Sequence, residues 1–330
     1  MNFNKLIGQS ELRSLLHSTL LDGKLSHATL LTGPSGSGKK SWARILAQSI
    51  LCADESTVEP CETCNSCRNY KSGNHPGLFF IEPDGRRIKI EQLRTIREKF
   101  YLSGGKKVCL MDDAEKMTAE TASSLLKILE EPPADLYFIL IAEEPRFLLD
   151  TIVSRCQRYT LYPLRCEEVK ELLIKEKEIS EEKADLLARI SGGLPGRAFQ
   201  LADDEAFEER FREAKTLAFN IASGCDSVRQ LLSWALFLSE KDDIIPFLEL
   251  VCMIYRDGLV QNLCRSGESI ITPEEQSSWI ESVKPAAFEE AIFLINDAVC
   301  KINDTNANRR LLLERMLILL QRRLTKCPGS

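Results

Sequence analysis

At 330 residues the chain is long enough for two or three domains, and 44% hydrophobic with 28% charged residues is the make-up of an ordinary globular protein. A net charge of −6 argues against a strong nucleic-acid binder acting by itself; no apolar run approaches the ~20 residues of a membrane helix, and the opening MNFNKLIGQSELRSLL lacks a signal-peptide core, so a cytoplasmic location without membrane attachment is expected.

In chain order, Gln9–Leu21 carries Leu12, Leu15, Leu16 and Leu20 at helical spacing and is expected to be an amphipathic helix. Ala28–Leu31 is a buried strand candidate, followed by a glycine-rich turn and a helix over Lys39–Leu51. The polar, cysteine-rich stretch Cys52–Cys67 comes next, then strand candidates at Leu78–Ile81, Lys107–Met111, Leu136–Ala142 and Arg158–Tyr162. Helices are expected between them at Glu91–Tyr101, Thr118–Leu129 and, short, at Arg146–Val153. Glu131-Pro132-Pro133 stops the second of these, because proline has no N–H to donate. Strands alternating with helices over about the first ~160 residues predict a parallel α/β sheet covered on both faces.

After Pro163 the strand signals stop. Three short helices are expected at Glu167–Lys177, Glu181–Ile190 and Pro195–Leu201, and then Glu205–Ala222, Ser227–Leu238, Asp243–Cys264, Pro273–Val283, Pro285–Ile302 and Asn308–Leu324. Leu311–Leu320 is apolar nearly all round and is expected inside a helical bundle.

The stretch HATLLTGPSGSGKKS (His27–Ser41) fits a phosphate-binding loop, G-x-x-x-x-G-K. Gly33, Gly36 and Gly38 let several N–H groups converge on an anion, and Lys39 adds a point charge at the helix start. Where Ser or Thr is needed to hold Mg²⁺ the chain has Lys40, and Ser41 comes one residue late. KVCLMDDAE (Lys107–Glu115) ends a strand in Asp112, placed to hold a metal through water, and Asp113, one methylene shorter than the glutamate of hydrolysing relatives. The two acids also suit a helix start. Cys52, Cys61, Cys64 and Cys67 have the spacing of a closed four-thiolate zinc site, with His75 an alternative to Cys52 as fourth ligand and with an iron–sulfur cluster or unrelated buried thiols as the other readings. The other eight cysteines are read as apolar fillers. By spacing alone, Arg155 in Ser154-Arg155-Cys156 is more often a surface arginine than a catalytic one, and Arg197 is a helix-start arginine.

The runs IGQ (Ile7–Gln9), SHATLLTGPSGSGK, the four-cysteine insert, GNHP, KVCLMDDAEKM, SSLLKILEEPP, TIVSRCQRY and SGGLPGRA occur in order. Together they resemble the bacterial clamp-loader branch of the AAA+ ATPases, closely over about residues 3–202 and more weakly beyond, mostly through NANRRLLLERMLILL. The resemblance implies an AAA+ P-loop domain at 1–163 with a zinc-binding insert at 52–67, a three-helix lid at 164–203 and an all-α oligomerisation collar at 204–330. It implies a pentameric ring with gamma/tau and delta subunits that loads a sliding clamp at primer-template DNA during replication. Lys39 then matches the Walker A lysine, Asp112 the Walker B acid, Arg197 the sensor-2 position, the four cysteines the zinc ligands, and Arg155 an arginine finger acting on ATP in a neighbour. Gly33, Gly36, Gly38, Lys40, Ser41 and Asp113 complete the nucleotide site, which either takes ATP or ADP with Mg²⁺ or is a retained fold element, reduced or empty. Lys40, Asp113 and the Ala142-Glu143-Glu144 that replaces a polar sensor-1 residue depart from the motor subunits. They point to a largely non-hydrolysing ring subunit. The alternatives are an ATP-hydrolysing motor-type subunit or another DNA-associated AAA+ ATPase, and a zinc-stabilised scaffold outside replication.

Overall fold

The computed structural model describes residues 8–54, 57–101, 104–264, 278–304 and 308–325. The chain divides into two compact units, Met1–Phe199 and Gln200–Ser330.

The first unit holds a five-stranded sheet. Its strands are β1 (Ala28–Thr32), β2 (Leu78–Ile81), β3 (Lys107–Met111), β4 (Leu136–Ala142) and β5 (Gln157–Thr160), all parallel, in the order β2-β3-β4-β1-β5. The helices are α1 (Ser10–Leu21), α2 (Lys39–Leu51), α3 (Asn65–Lys71), α4 (Ile90–Phe100), α5 (Ala119–Glu130) and α6 (Asp150–Val153), then α7 (Cys166–Lys177), α8 (Glu181–Ile190) and α9 (Pro195–Asp203). The pleat sends alternate side chains of β1, β3 and β4 into two separate cores. Leu30, Cys109, Met111, Phe138 and Leu140 face α4, α5 and α6; Leu31, Val108, Leu110, Ile139 and Ile141 face α1 and α2. Every residue of β1 and β3 is buried. That is why these strands read as unbroken apolar runs instead of alternating ones. Phe100 joins the first core edge-on to Phe79 at 5.2 Å and Phe138 at 5.8 Å.

The second unit is helical: α10 (Phe207–Ser223), α11 (Val228–Ser239), α12 (Ile244–Leu263), α13 (Ser278–Ser282), α14 (Pro285–Asp304) and α15 (Arg309–Leu324). Tyr255 of α12 lies fully buried against Phe288 of α14, centroids 6.1 Å apart, and its hydroxyl donates to Ala218 O at 3.2 Å. Gly258 lets these two helices approach, since a Cβ there would lie 2.8 Å from the Phe288 ring.

Several expectations are corrected. Arg146–Val153 is not one helix: a 3-10 turn at Pro145–Phe147 and a single α turn at Asp150–Val153 are separated by extended Leu148 and Leu149. Burying Leu148 in the sheet core pulls the backbone straight between them. The cysteine stretch hides α3, which periodicity missed because its cysteines face a cluster and not an apolar core. Asp112-Asp113 leads into a 3-10 turn, Ala114–Lys116, with Asp113 left-handed at φ 46°. In α15 one face is buried (Leu313, Met316, Leu317, Leu320), but Leu311 is exposed, so burial is not all round. Cys166, Cys225, Cys264 and Cys300 are exposed and are not core fillers. The start of the expected helix Pro273–Val283, Ile7 of the IGQ run, Asn306 and Cys327 lie outside the described residues.

Candidate functional site

The glycine loop leaves β1 at the carboxyl edge of the sheet, where open α/β sheets place their ligands. Gly33 takes φ 145°, and a Cβ on it would lie 2.4 Å from Leu161 O, so only glycine fits. Its N–H donates to Glu143 O at 3.0 Å, which ties the loop to the end of β4. Gly38 is the left-handed N-cap of α2 at φ 92°. Gly36 O accepts from the N–H of Gly196 at 2.8 Å, bringing the first turn of α9, and with it Arg197, onto the loop. A Cβ on Gly196 would lie 3.0 Å from Gly36 Cα, so the approach depends on two glycines.

Lys39 is buried and folds back on the loop, donating to Gly33 O at 2.5 Å and Pro34 O at 2.9 Å. Burial lowers its pKa, opposed by the carboxylates of Glu143, Glu115, Asp113 and Asp112. β3 delivers Asp112 to the same place, its side chain only 2% exposed. The ammonium of Lys40, 60% exposed, sits on Asp112 Oδ2. Asp113 is taken by Lys116 at 2.7 Å. Ser41 follows one residue after Lys40, about 100° further round α2.

Spacing did not single out Glu115, Ser37 or the role of Glu143. Glu115 Oε1 accepts from the Glu143 N–H at 3.3 Å, and burial raises its pKa, with Asp113 and Glu143 adding repulsion. Three polar atoms in this neighbourhood are buried without a hydrogen-bond partner: Ser37 Oγ, Asp112 Oδ1 and Glu115 Oε2. The acids and lysine of DDAEK were the available signal for Glu115; only the 3-10 turn aims it back at the loop.

The loop, Lys39 and the unpartnered Ser37 hydroxyl suit a polyphosphate, whereas the unpartnered oxygens of Asp112 and Glu115 are acceptors that call for a donor or a cation. Mg²⁺ does not fit beside them. Magnesium needs near-octahedral oxygen ligands, and Asp112 already carries the Lys40 ammonium on Oδ2. A divalent ion about 4 Å from that ammonium is repelled by roughly 8 kcal/mol at an effective dielectric of about 20, less where solvent screens it.

Arg155 is not in this constellation. The register Thr29↔Gln157 starts β5 level with the start of β1, so Arg155 lies at the amino edge of the sheet. The glycine loop lies at the opposite edge, roughly 15 Å away along the strands. There Arg155 donates to Thr151 O at 3.0 Å and pairs with Glu130 at 2.7 Å, with its side chain 36% exposed.

The four cysteines form a second site. Cys52 ends α2, Cys61 lies in the following turn, Cys64 caps α3 and Cys67 is in its first turn. Cys52 Sγ is 3.6 Å from Cys61 Sγ, 4.0 Å from Cys64 Sγ and 3.7 Å from Cys67 Sγ, and all four lie within 4.8 Å of one another. A tetrahedron with Zn–S bonds of about 2.3 Å has edges of about 3.8 Å, so the donor set fits zinc. The N–H of Cys64 donates to Cys61 Sγ at 3.4 Å and that of Cys67 to Cys64 Sγ at 3.3 Å. The donation from Cys64 leads in holding the Cys61 thiol down at about 6, whereas burial pushes Cys67 up to about 12. His75 is engaged elsewhere. Its Nδ1 accepts from the Gly77 N–H at 3.0 Å, which makes Nε2 the donor to Ser66 Oγ at 2.9 Å, and the Ser66 hydroxyl donates to Leu51 O. The ring thus braces the ends of α2 and α3.

A family model described as DNA polymerase III, delta subunit, matches residues 8–165. The chain is 32% identical to DNA polymerase III subunit delta' of Bacillus subtilis over 323 residues, 95% of this chain and 96% of that protein. It is 30% identical to the Escherichia coli subunit delta' over 61% of this chain and 62% of that protein. The E. coli tau subunit matches at 33% over 61% of this chain but only 32% of its own length. Among solved structures, a gamma subunit-related protein of Thermotoga maritima superposes with TM-score 0.48 at 19% identity, covering 96% of this chain and 100% of that one.

Proposed function

Because the chain belongs to the DNA polymerase III delta' subunit family, we propose that it is a ring subunit of the clamp loader and acts chiefly on its neighbours. In this reading it assembles with gamma/tau and delta subunits, and the ring opens the sliding clamp and places it on primed DNA. The similarity along almost the whole length of a delta' subunit is the observation that carries the reading. Arg155 is the residue we assign to catalysis in trans. Its position on the edge of the sheet remote from its own loop leaves it nothing to do there. An arginine at a subunit boundary stabilises charge developing on a transferred phosphoryl group. The ion pair with Glu130 holds the guanidinium ready, and a phosphate, being more highly charged, competes for it.

The chain's own loop contributes little hydrolysis in this reading. Lys40 covers Asp112 and Lys116 holds Asp113, so neither acid is available to a metal or an attacking water. This favours the non-motor role over a motor-type subunit. The four-cysteine cluster holds one structural zinc that fixes α3 to the end of α2. The helical unit forms the collar, with α7, α8 and α9 as the lid.

Reconstitution tests the reading. Arg155→Ala is expected to co-elute with gamma/tau and delta at wild-type stoichiometry while clamp loading on primed DNA falls at least tenfold. An arginine finger is worth about 10³–10⁵ at the single site it serves. Undiminished loading would remove Arg155 from catalysis, and failure to co-elute even as wild type would remove the subunit role.

A further inference from the structure

We propose that Lys40 is a built-in countercation that takes the place of Mg²⁺ on Asp112, so that the glycine loop binds a nucleoside polyphosphate as the metal-free anion. The inference stands on the loop's own geometry and is independent of the ring-subunit reading.

Three observations on the loop and Lys40 carry it, and a fourth, at Ser37, agrees with them. The Lys40 ammonium lies on Asp112 Oδ2, at the end of β3 where a phosphate loop otherwise directs its metal. The hydroxyl that would ligate a metal is displaced by one residue, to Ser41, and the helix turns it away. The rest of the anion-binding apparatus is retained: Gly33 and Gly38 hold their positive φ, and Lys39 is poised on the loop carbonyls. Finally, Ser37 Oγ, a hydroxyl able to donate to a phosphate oxygen, is buried and unpartnered in the same place. A Cβ on Gly33 would come within 3.2 Å of that Ser37 oxygen, which puts the hydroxyl inside the loop itself. Buried polar atoms are almost always satisfied, so this hydroxyl marks a place where an acceptor is missing, whereas Asp112 Oδ1 and Glu115 Oε2, also unpartnered, are acceptors that oppose further phosphate charge.

Lysine and magnesium differ in charge and in the geometry they impose. The ammonium has three rotatable donors and demands no octahedron. One of its protons serves Asp112, and the others remain for phosphate oxygens, with 60% of the side chain open to approach. Because it brings one positive charge where the metal brings two, and because Glu115 and Glu143 stand close by, the site favours two phosphates over three. The ligand class is therefore a nucleoside diphosphate without metal.

The test is calorimetric titration of ADP into the full chain, once in EDTA and once in Mg²⁺. Binding at least as tight in EDTA as in Mg²⁺ is expected, with Lys39→Ala abolishing it. Lys40→Thr, which supplies the missing hydroxyl and uncovers Asp112, is expected to lose at least tenfold in EDTA and to recover it in Mg²⁺. Wild-type binding that tightens tenfold or more with Mg²⁺ would overturn the proposal, and so would no ADP binding in either buffer. The wild-type comparison decides even if a variant fails to fold, and melting curves of both variants report on folding.

Discussion

Gly33 and Gly38 differ in what they ask of their neighbours, although both sit in one loop at positive φ. A methyl group on Gly33 meets Leu161 O at 2.4 Å, whereas one on Gly38 meets nothing within 4 Å. Gly38→Ala is therefore expected to cost about 1–2 kcal/mol from backbone strain alone, and Gly33→Ala more than about 3 kcal/mol, read from urea denaturation of the two variants. Equal costs would show that the close approach at Leu161 relaxes freely. Asp226, in the helical unit, is a residue of a different kind. It is 7% exposed, its Oδ2 has no hydrogen-bond partner, and burial raises its pKa. For an acid with a raised folded-state pKa, the unfolded chain ionises first. Ionisation thus costs stability at pH 7, and the cost fades as pH falls through the folded value toward the unfolded one. Asp226→Asn is expected to stabilise by roughly 1 kcal/mol at pH 7, with the gain vanishing in acid below the ordinary carboxylate range, measured as denaturation midpoints against pH.

At the scale of elements, α3 reaches α2 through Tyr70, which packs on the core that α2 lines and donates its hydroxyl to Arg44 O at 2.8 Å, and through Cys67, the one fully buried residue of α3. The cysteine cluster and the relay Gly77–His75–Ser66–Leu51 add to that attachment. The two can be separated. His75→Ala is expected to keep one zinc per chain and lose about 1 kcal/mol, the worth of its hydrogen bonds. Cys64→Ser is expected to lose the metal and to raise hydrogen exchange in α3, while β1, β3 and β4 stay protected. Elemental analysis beside exchange measurements checks both variants. Zinc lost on removing His75 would transfer the fourth ligand from Cys52 to the imidazole, and no zinc in the wild type would remove the metal altogether. The spacing of the cysteines made the cluster legible, because a knuckle of thiolates two residues apart is a local geometric requirement. The helix inside it was not legible, because its seven residues present no apolar stripe.

At the scale of the whole molecule, the helical unit exposes large apolar side chains that its own packing does not need, above all Phe293, 72% exposed in α14. If this unit is the collar of a ring, Phe293→Asp is expected to leave the melting temperature unchanged and to weaken co-elution with gamma/tau and delta at least tenfold; unaltered co-elution would place the ring contacts elsewhere. The sequence by itself determined the strands, most of the helices, the glycine loop with its lysine, the cysteine set and the family, because each rests on periodicity or spacing within a few residues. The departures Lys40 and Asp113 were also plain there as letters. Their meaning was not, since only the sheet order β2-β3-β4-β1-β5 carries Asp112 from a distant strand to the start of α2, where Lys40 meets it. The same order sets Glu143 against Gly33 and sends Arg155 to the far edge. Pairings between residues so far apart in the chain have no period to betray them. They are decided when the buried strands choose their neighbours, a choice made by packing two cores at once.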